Sequence, residues 1–258
     1  MNHNKVIETI MDHKSIRNYT DEVPTEEEIK TIVRAGQQAP FVSQLYSVVY
    51  TKDKDKIPFN APVMFTVCVD THKLELFMEK RDWDLVTNDL TLLLFGIQDA
   101  AYMAQNMVTA ARSLGLGSCF LGGAIHKAKK LKEEYNLPDK VFPLVQLTMG
   151  YPAENPPRRP RYPMDFVLFE DEYPDFDEET LEKAIDHMDD GYLEQDYYKK
   201  LNAKIPIEGD KEDTYNYEDY SWTEHISRKW GQWFTSIDEQ IEELEMCGFD
   251  ISENKEED

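Results

Sequence analysis

Leu90–Leu114 reads LTLLLFGIQDAAYMAQNMVTAARSL and is followed by Gly115. Drawn as a helix, it carries apolar residues on nearly every face, and a helix apolar all round belongs in the interior of something large. Gly115 supplies the stop, because glycine accepts the left-handed conformation that closes a helix. Outward from this segment, the upstream chain predicts helices over Val6–Asp12 and Glu26–Gln38. Thr25 followed by Glu28 is a capping box that starts the second of them. Ser47–Thr51 and Val63–Val69, rich in valine and aromatic residues, predict strands. Downstream, Ser118–Leu121 reads as a short buried strand, Lys127–Tyr135 as a basic amphipathic helix and Val141–Gly150 as another buried strand. Helices and strands thus interleave, and an α+β or α/β layered domain follows.

The stretch 151–164, YPAENPPRRPRYPM, holds five prolines. Proline removes a backbone donor and clashes inside a helix, so this is an extended surface segment leaving the core. Beyond it come helical stretches at Glu178–Met188 and Leu193–Leu201, then a polar, tyrosine-rich loop at Pro206–Tyr220. A final helix is expected from Ser221 to Met246, with Trp222, Ile226, Trp230, Phe234, Ile237 and Ile241 on one apolar face. Residues 252–258, SENKEED, should fray. The chain contains no internal repeat. Residues 1–164 are read as the core and 165–258 as an acidic helical extension.

The 258 residues suffice for a sizeable core. Residues 165–258 hold 31 acidic and 8 basic side chains, whereas 1–164 hold 20 of each, so the whole net charge of −23 lies in the last third. Such a surface repels nucleic acid and anionic lipid. The longest apolar run, Leu92–Ile97, is far short of a membrane span. The N-terminal MNHNKVIETI has no apolar region typical of a signal peptide, and a cytoplasmic location is expected. Cys68, Cys119 and Cys247 are widely spaced and read as reduced core thiols.

Three stretches carry candidate chemistry. HKSIRNY at His13–Tyr19 gathers an imidazole, an ammonium, a hydroxyl and a guanidinium; Ser15 and Arg17 suit a phosphate, with His13 and Lys14 for another part of the same ligand. The alternative is a polar helix end with cations near the C-terminal dipole. Arg158, Arg159 and Arg161 sit on a stiff proline-rich segment, a phosphate clamp or a solvated basic linker. SCFLGG at Ser118–Gly123 ends a buried strand in two glycines, where backbone can approach a flat ligand or merely turn. No histidine pairs with Cys or Glu at a zinc spacing, and neither G-x-G-x-x-G, a P-loop nor G-x-S-x-G occurs. No metal site is expected. His225 reads as a packing residue.

Taken together these stretches resemble the nitroreductase family. HKSIRNYTDEVPTEEEIKTIV at His13–Val33 is similar to the family's opening, in the HxSIR form of its oxygen-insensitive NAD(P)H nitroreductase and NADPH:FMN oxidoreductase subgroup. Asp99–Gly123 is similar to that subgroup's central helix and following strand. Met149–Pro163 resembles its G-x-P-A-x-N-P-x-x-K/R-P-R-x-P segment, and SWTEHISRKW at Ser221–Trp230 its W-x-x-H-I/V helix. The resemblance implies a mixed sheet flanked by helices in a homodimer, with a C-terminal helical extension and FMN at the interface. It assigns Ser15, Arg17, Arg159 and Arg161 to the FMN phosphate. His13 and Lys14 would face the ribityl chain and pyrimidine edge, and Leu121, Gly122 and Gly123 the isoalloxazine ring. Ala39, Pro40 and Phe41 match the loop given by the other subunit, and Gln44 the family's Gln-x-Trp position.

The implied activity is ping-pong electron transfer from NADH or NADPH to a nitroaromatic, quinone or flavin acceptor. The cofactor carries the chemistry, and no side chain is assigned as a catalytic acid or base. The alternative is an FMN-binding storage or sensor protein with little turnover. Three departures from the family pattern bear on this. TKDKDKIPFN at 51–60 replaces a longer segment, Pro40-Phe41-Val42 replaces a serine-rich loop, and IEGDKEDTYNYEDY at 207–220 is acidic where NADPH-preferring members are basic. The last predicts weak or no preference for NADPH over NADH.

Overall fold

Val63–Asp70 alternates so that both of its faces find an apolar layer, and every residue of this strand is buried. In the computed structural model, which describes residues 4–234 and 236–251, it is β2 of a four-stranded sheet. The partners are β1 (Tyr46–Thr51), β3 (Gly117–Leu121) and β4 (Val141–Gly150), in the order β1-β2-β4-β3. All three pairings are antiparallel. The expected mixed character reduces to one isolated parallel bridge, Ser15 to Ser118, on the far side of β3 from β4. The chain divides into two compact units: Met1–Pro156 with Ser236–Asp258, and Pro157–Thr235.

In the first unit Val63, Phe65 and Val67 of β2 meet Ile29 and Ile32 of α2 (Glu26–Gln37) and Ala100, Met103 and Met107 of α4 (Asp89–Ser113). The opposite face divides: Met64 packs with Ile16, Tyr19, Ile57 and Ala61, and Cys68 with Leu137 and Val141. The Thr25–Glu28 capping box forms in full. α4 begins one residue before the expected start, because the Asn88 side chain caps it. Gly115 ends it at φ +85°. One helix escaped the sequence reading: α3 (His72–Lys80), which buries no residue and leaves Leu76 and Phe77 exposed, so it has no clear apolar stripe. α1 (Lys5–Met11) and α5 (Ala128–Tyr135) stand close to their expected bounds.

The second unit contains α6 (Glu178–Leu193), α7 (Tyr197–Leu201) and α8 (Trp222–Gln232). The single helix expected over Ser221–Met246 is two. α8 stops where Trp233 turns extended at ψ 100°, its ring stacked on Trp230 at 5.3 Å with the Lys229 ammonium near both rings. α9 (Ile237–Met246) then starts with Asp238 and Glu239 in its first turn, where acids favour a helix N-terminus. α9 belongs to the first unit: Glu243 accepts from the Lys129 N–H, and Cys247 O accepts from the Lys140 N–H. The fraying expected for 252–258 lies outside the described residues.

All three cysteines are buried and free. Burial pushes the Cys68 thiol up to about 12 and the Cys247 thiol up to about 11. Among the described residues no helix is long and apolar enough to cross a membrane.

Candidate functional site

After α1 the chain turns extended and runs beside β3. The Ile16 N–H donates to Ser118 O at 2.9 Å, and farther on Thr20 N–H donates to Tyr151 O and Ala153 N–H to Asn18 O. Ile16 and Tyr19 are the buried anchors of this segment. The Tyr19 hydroxyl bonds Ile16 O at 2.6 Å and lies 3.0 Å from the Thr148 hydroxyl. Burial raises Tyr19 far above the ordinary phenol range. Ile16 is turned inward, and Ser15 bridges Ser118 of β3, next to Cys119. Burial raises the Cys119 thiol, while the Arg17 charge and its hydrogen bond, then the Ser15 hydroxyl, pull it back.

The neighbouring polar groups are also fixed. Lys14 Nζ donates to Asn155 Oδ1 at 2.6 Å and lies 3.6 Å from Asp12 Oδ1. The Arg17 N–H donates to Glu154 Oε1 at 2.5 Å. Asp12 in turn pairs with Arg112 of α4, tying the end of α1 to the core. His13 is half-buried. Glu154 and Asn155 lie inside the proline-rich motif, but no sequence pattern marks them individually as these partners.

β3 ends at Leu121, which packs against the Ile16–Tyr19 cluster, and Gly122 and Gly123 open a 3₁₀ turn. A methyl group added at either glycine would meet nothing within 4 Å. Open backbone at the mouth of a strand, beside a hydroxyl and a guanidinium, is a donor set that fits a phosphorylated planar ligand.

The loop holding Ala39, Pro40, Phe41 and Gln44 is organised by a residue the sequence reading passed over. Asp99 of α4 is fully buried, and its carboxylate accepts three backbone N–H groups: Val42 at 2.6 Å, Ser43 at 3.1 Å and Leu45 at 3.0 Å. Ala39 is buried, Phe41 is 52 % exposed, and Gln44 adopts φ +56°. That conformation costs a non-glycine residue roughly 1 kcal/mol or more and persists where the surroundings hold it. The signal was present: an acid on the buried stripe of an apolar helix must find partners.

Arg159 and Arg161 belong to the second unit. The Arg159 guanidinium carbon lies 3.8 Å from the centre of the Tyr197 ring, and Nη1 donates to Gln195 Oε1. Arg161 Nη1 donates to the carbonyls of Arg159 and Pro160. In the same unit the acidic loop before α8 is pinned by cations. Arg228, only 5 % exposed, donates to Asp213, Glu224 and Ile205 O, and Lys204 lies 2.9 Å from Asp213. These bonds, Arg228 first, hold the Asp213 carboxyl well below the usual range. His225 packs rather than ligates: its ring stacks on Tyr198 at 4.3 Å and bonds the Tyr220 hydroxyl, and burial lowers its basicity. Among the described residues no His, Cys, Asp and Glu group is arranged to hold a metal.

The nitroreductase family pattern matches residues 49–151. The chain is 34% identical over 186 residues to an FMN reductase (NADPH) of Bacillus subtilis, covering 66% of this chain and 75% of the relative. It is 31% identical over 201 residues to an oxygen-insensitive NADPH nitroreductase of Salmonella typhimurium, covering 72% and 82%. Among solved structures, B. megaterium NfrA1 superposes with a TM-score of 0.80 at 29% identity, over 95% of this chain and 99% of that one.

Proposed function

The chain belongs to the nitroreductase family, and from that premise we propose that the segment after α1 and the turn after β3 form the cofactor-facing part of its site. The protein is an NAD(P)H-dependent FMN oxidoreductase. One observation carries the site assignment: Ser15 bridges Ser118 of β3, three residues before a strand end where Gly122 and Gly123 leave open space, and Arg17 follows in the same segment. Ser15 and Arg17 hold the FMN phosphate, to which the family resemblance also assigns Arg159 and Arg161. Leu121, Gly122 and Gly123 lie along the ring, with His13 on the ribityl chain. Bound FMN supplies the redox centre that accepts electrons from a nicotinamide and hands them to an acceptor. Lys14, oriented by Asn155 and Asp12, places positive charge where reduced flavin is negative.

The acceptors in this reading are nitroaromatics, quinones or free flavin, reduced in a ping-pong cycle. Steady-state NADH oxidation with a nitroaromatic should give parallel double-reciprocal lines; no turnover would leave the storage or sensor alternative. The nucleotide preference follows from the acidic loop. Asp213 of the loop already engages Lys204 and Arg228, and Glu224 of α8 also engages Arg228, so these cations are committed to acidic partners. The ratio of kcat/KM for NADPH to that for NADH is expected below ten; a larger ratio would refute the loop argument.

The working form is a homodimer, in which Ala39, Pro40, Phe41 and Gln44 reach the flavin of the other subunit. Leu90, Leu94, Phe95 and Tyr102 support it, since they leave large apolar side chains on α4 between 39 and 54 % exposed. Sedimentation equilibrium should give twice the 30.2 kDa chain mass; a monomer at micromolar concentration would overturn the assembly.

A further inference from the structure

The part of the proline-rich segment that lies in the second unit is stiff but not self-supporting, because three prolines, Pro157, Pro160 and Pro163, leave it few backbone donors. What fixes it is the turn between α6 and α7. At Gly191 of α6 a side chain would come within 2.6 Å of the Pro160 ring, so only glycine lets the segment lie this close. Gln195 then grips the segment at two points: Nε2 donates to Arg158 O at 2.9 Å, and Oε1 accepts from Arg159 Nη1 at 2.5 Å. Tyr197 supplies a floor for the Arg159 guanidinium at 3.8 Å. The Tyr197 ring is itself held edge-to-face by Tyr192 at 5.2 Å and Tyr198 at 4.9 Å.

These contacts leave a particular edge of Arg159 for a ligand. Nη1 is taken by Gln195 and one face by Tyr197, while the Nε–Nη2 edge, the pair that bonds a phosphate side-on, has no partner in these contacts. An arginine on an exposed loop loses rotamer entropy when it binds; one already stacked and bonded loses much less. We propose that Gln195 and Tyr197 are positioning residues that preset Arg159 for a phosphate monoester. The proposal rests on the reading that Arg159 is a ligand of the FMN phosphate.

Riboflavin, which has the ring and ribityl chain of FMN but no phosphate, separates the effects. The full-length protein, freed of flavin and titrated with each compound by fluorescence, gives the ratio of the two dissociation constants. Arg159→Ala should weaken FMN at least tenfold and leave riboflavin within twofold. Tyr197→Leu should weaken FMN three- to tenfold, again with riboflavin within twofold. Tyr197→Phe, which keeps the aromatic face, should bind both as the wild type does. Gln195→Ala should behave like Tyr197→Leu and covers the case in which the leucine variant does not fold. If Arg159→Ala changes the ratio but neither Tyr197→Leu nor Gln195→Ala does, positioning is refuted and the phosphate assignment stands. If both of these weaken riboflavin as much as FMN, their role is structural and the proposal fails. If Arg159→Ala leaves the ratio unchanged, the phosphate assignment itself fails and the proposal falls with it.

Discussion

Replacing Arg17 and Arg161 together by alanine is expected to give a folded protein that purifies without its yellow colour. Each charge-assisted contact to a phosphate contributes roughly 1.5–3 kcal/mol. Two lost contacts therefore weaken FMN by about 10²-fold or more, since about 1.4 kcal/mol is tenfold. The fold should survive because both side chains are exposed and neither belongs to a core cluster. The backbone N–H of residue 17, which donates to Glu154, is untouched by the substitution, as are the Ile16 and Tyr19 anchors. Arg161 bonds the nearby carbonyls of Arg159 and Pro160, so its loss is local. Far-ultraviolet circular dichroism should match the wild type while the flavin dissociation constant rises. A double variant as yellow as the wild type would move the phosphate elsewhere.

The elements legible in the sequence are those whose signal is local. β1, β2 and β4 follow from β-branched and aromatic content, β3 and α4 from their apolar runs, and the start of α2 from one capping box. α3 was not legible because it buries nothing: its place is set by what lies around it. The break between α8 and α9 was hidden by an apolar stripe that continues through Trp230, Phe234 and Ile237, all more than half exposed. That stripe is a property of composition; the interruption comes from the Trp230–Trp233 stack and the acidic start of α9.

For the site, the identity of the polar stretches was readable and their supports were not. His13–Tyr19 announces itself by its cations. That it runs beside β3 depends on a single non-local bridge. The arginines of the proline-rich segment are equally plain, whereas Gln195 and Tyr197 lie some 40 residues on in a helix turn with no motif. Sequence patterns record which groups touch a ligand more openly than which groups hold them still, because a supporting contact can come from any element that passes nearby.

Asp99 is the sharpest case of such a support, and its removal should be the most costly single change in the first unit. Its carboxylate is the acceptor for the Val42, Ser43 and Leu45 N–H groups. Asp99→Ala strands three donors beside a cavity, each worth on the order of 1–3 kcal/mol when left unsatisfied. Some donors will find water once the loop relaxes, so the expected loss is roughly 3–5 kcal/mol, the range seen when one partner of a buried charged contact is deleted. For a chain of this size that lowers Tm by on the order of 10 °C. Asp99→Asn should fall between, because one oxygen still accepts while the new amide, itself a donor, confronts an N–H group. The functional consequence follows from the geometry of the loop: Gln44 holds a left-handed conformation that the three bonds enforce. Once they are gone, the loop has no reason to keep Ala39–Gln44 in one arrangement. Flavin affinity should therefore drop in Asp99→Asn even at temperatures where the variant is fully folded. A stable Asp99→Ala variant with unchanged Tm would mean that the loop is held by other contacts and that the buried carboxylate is dispensable.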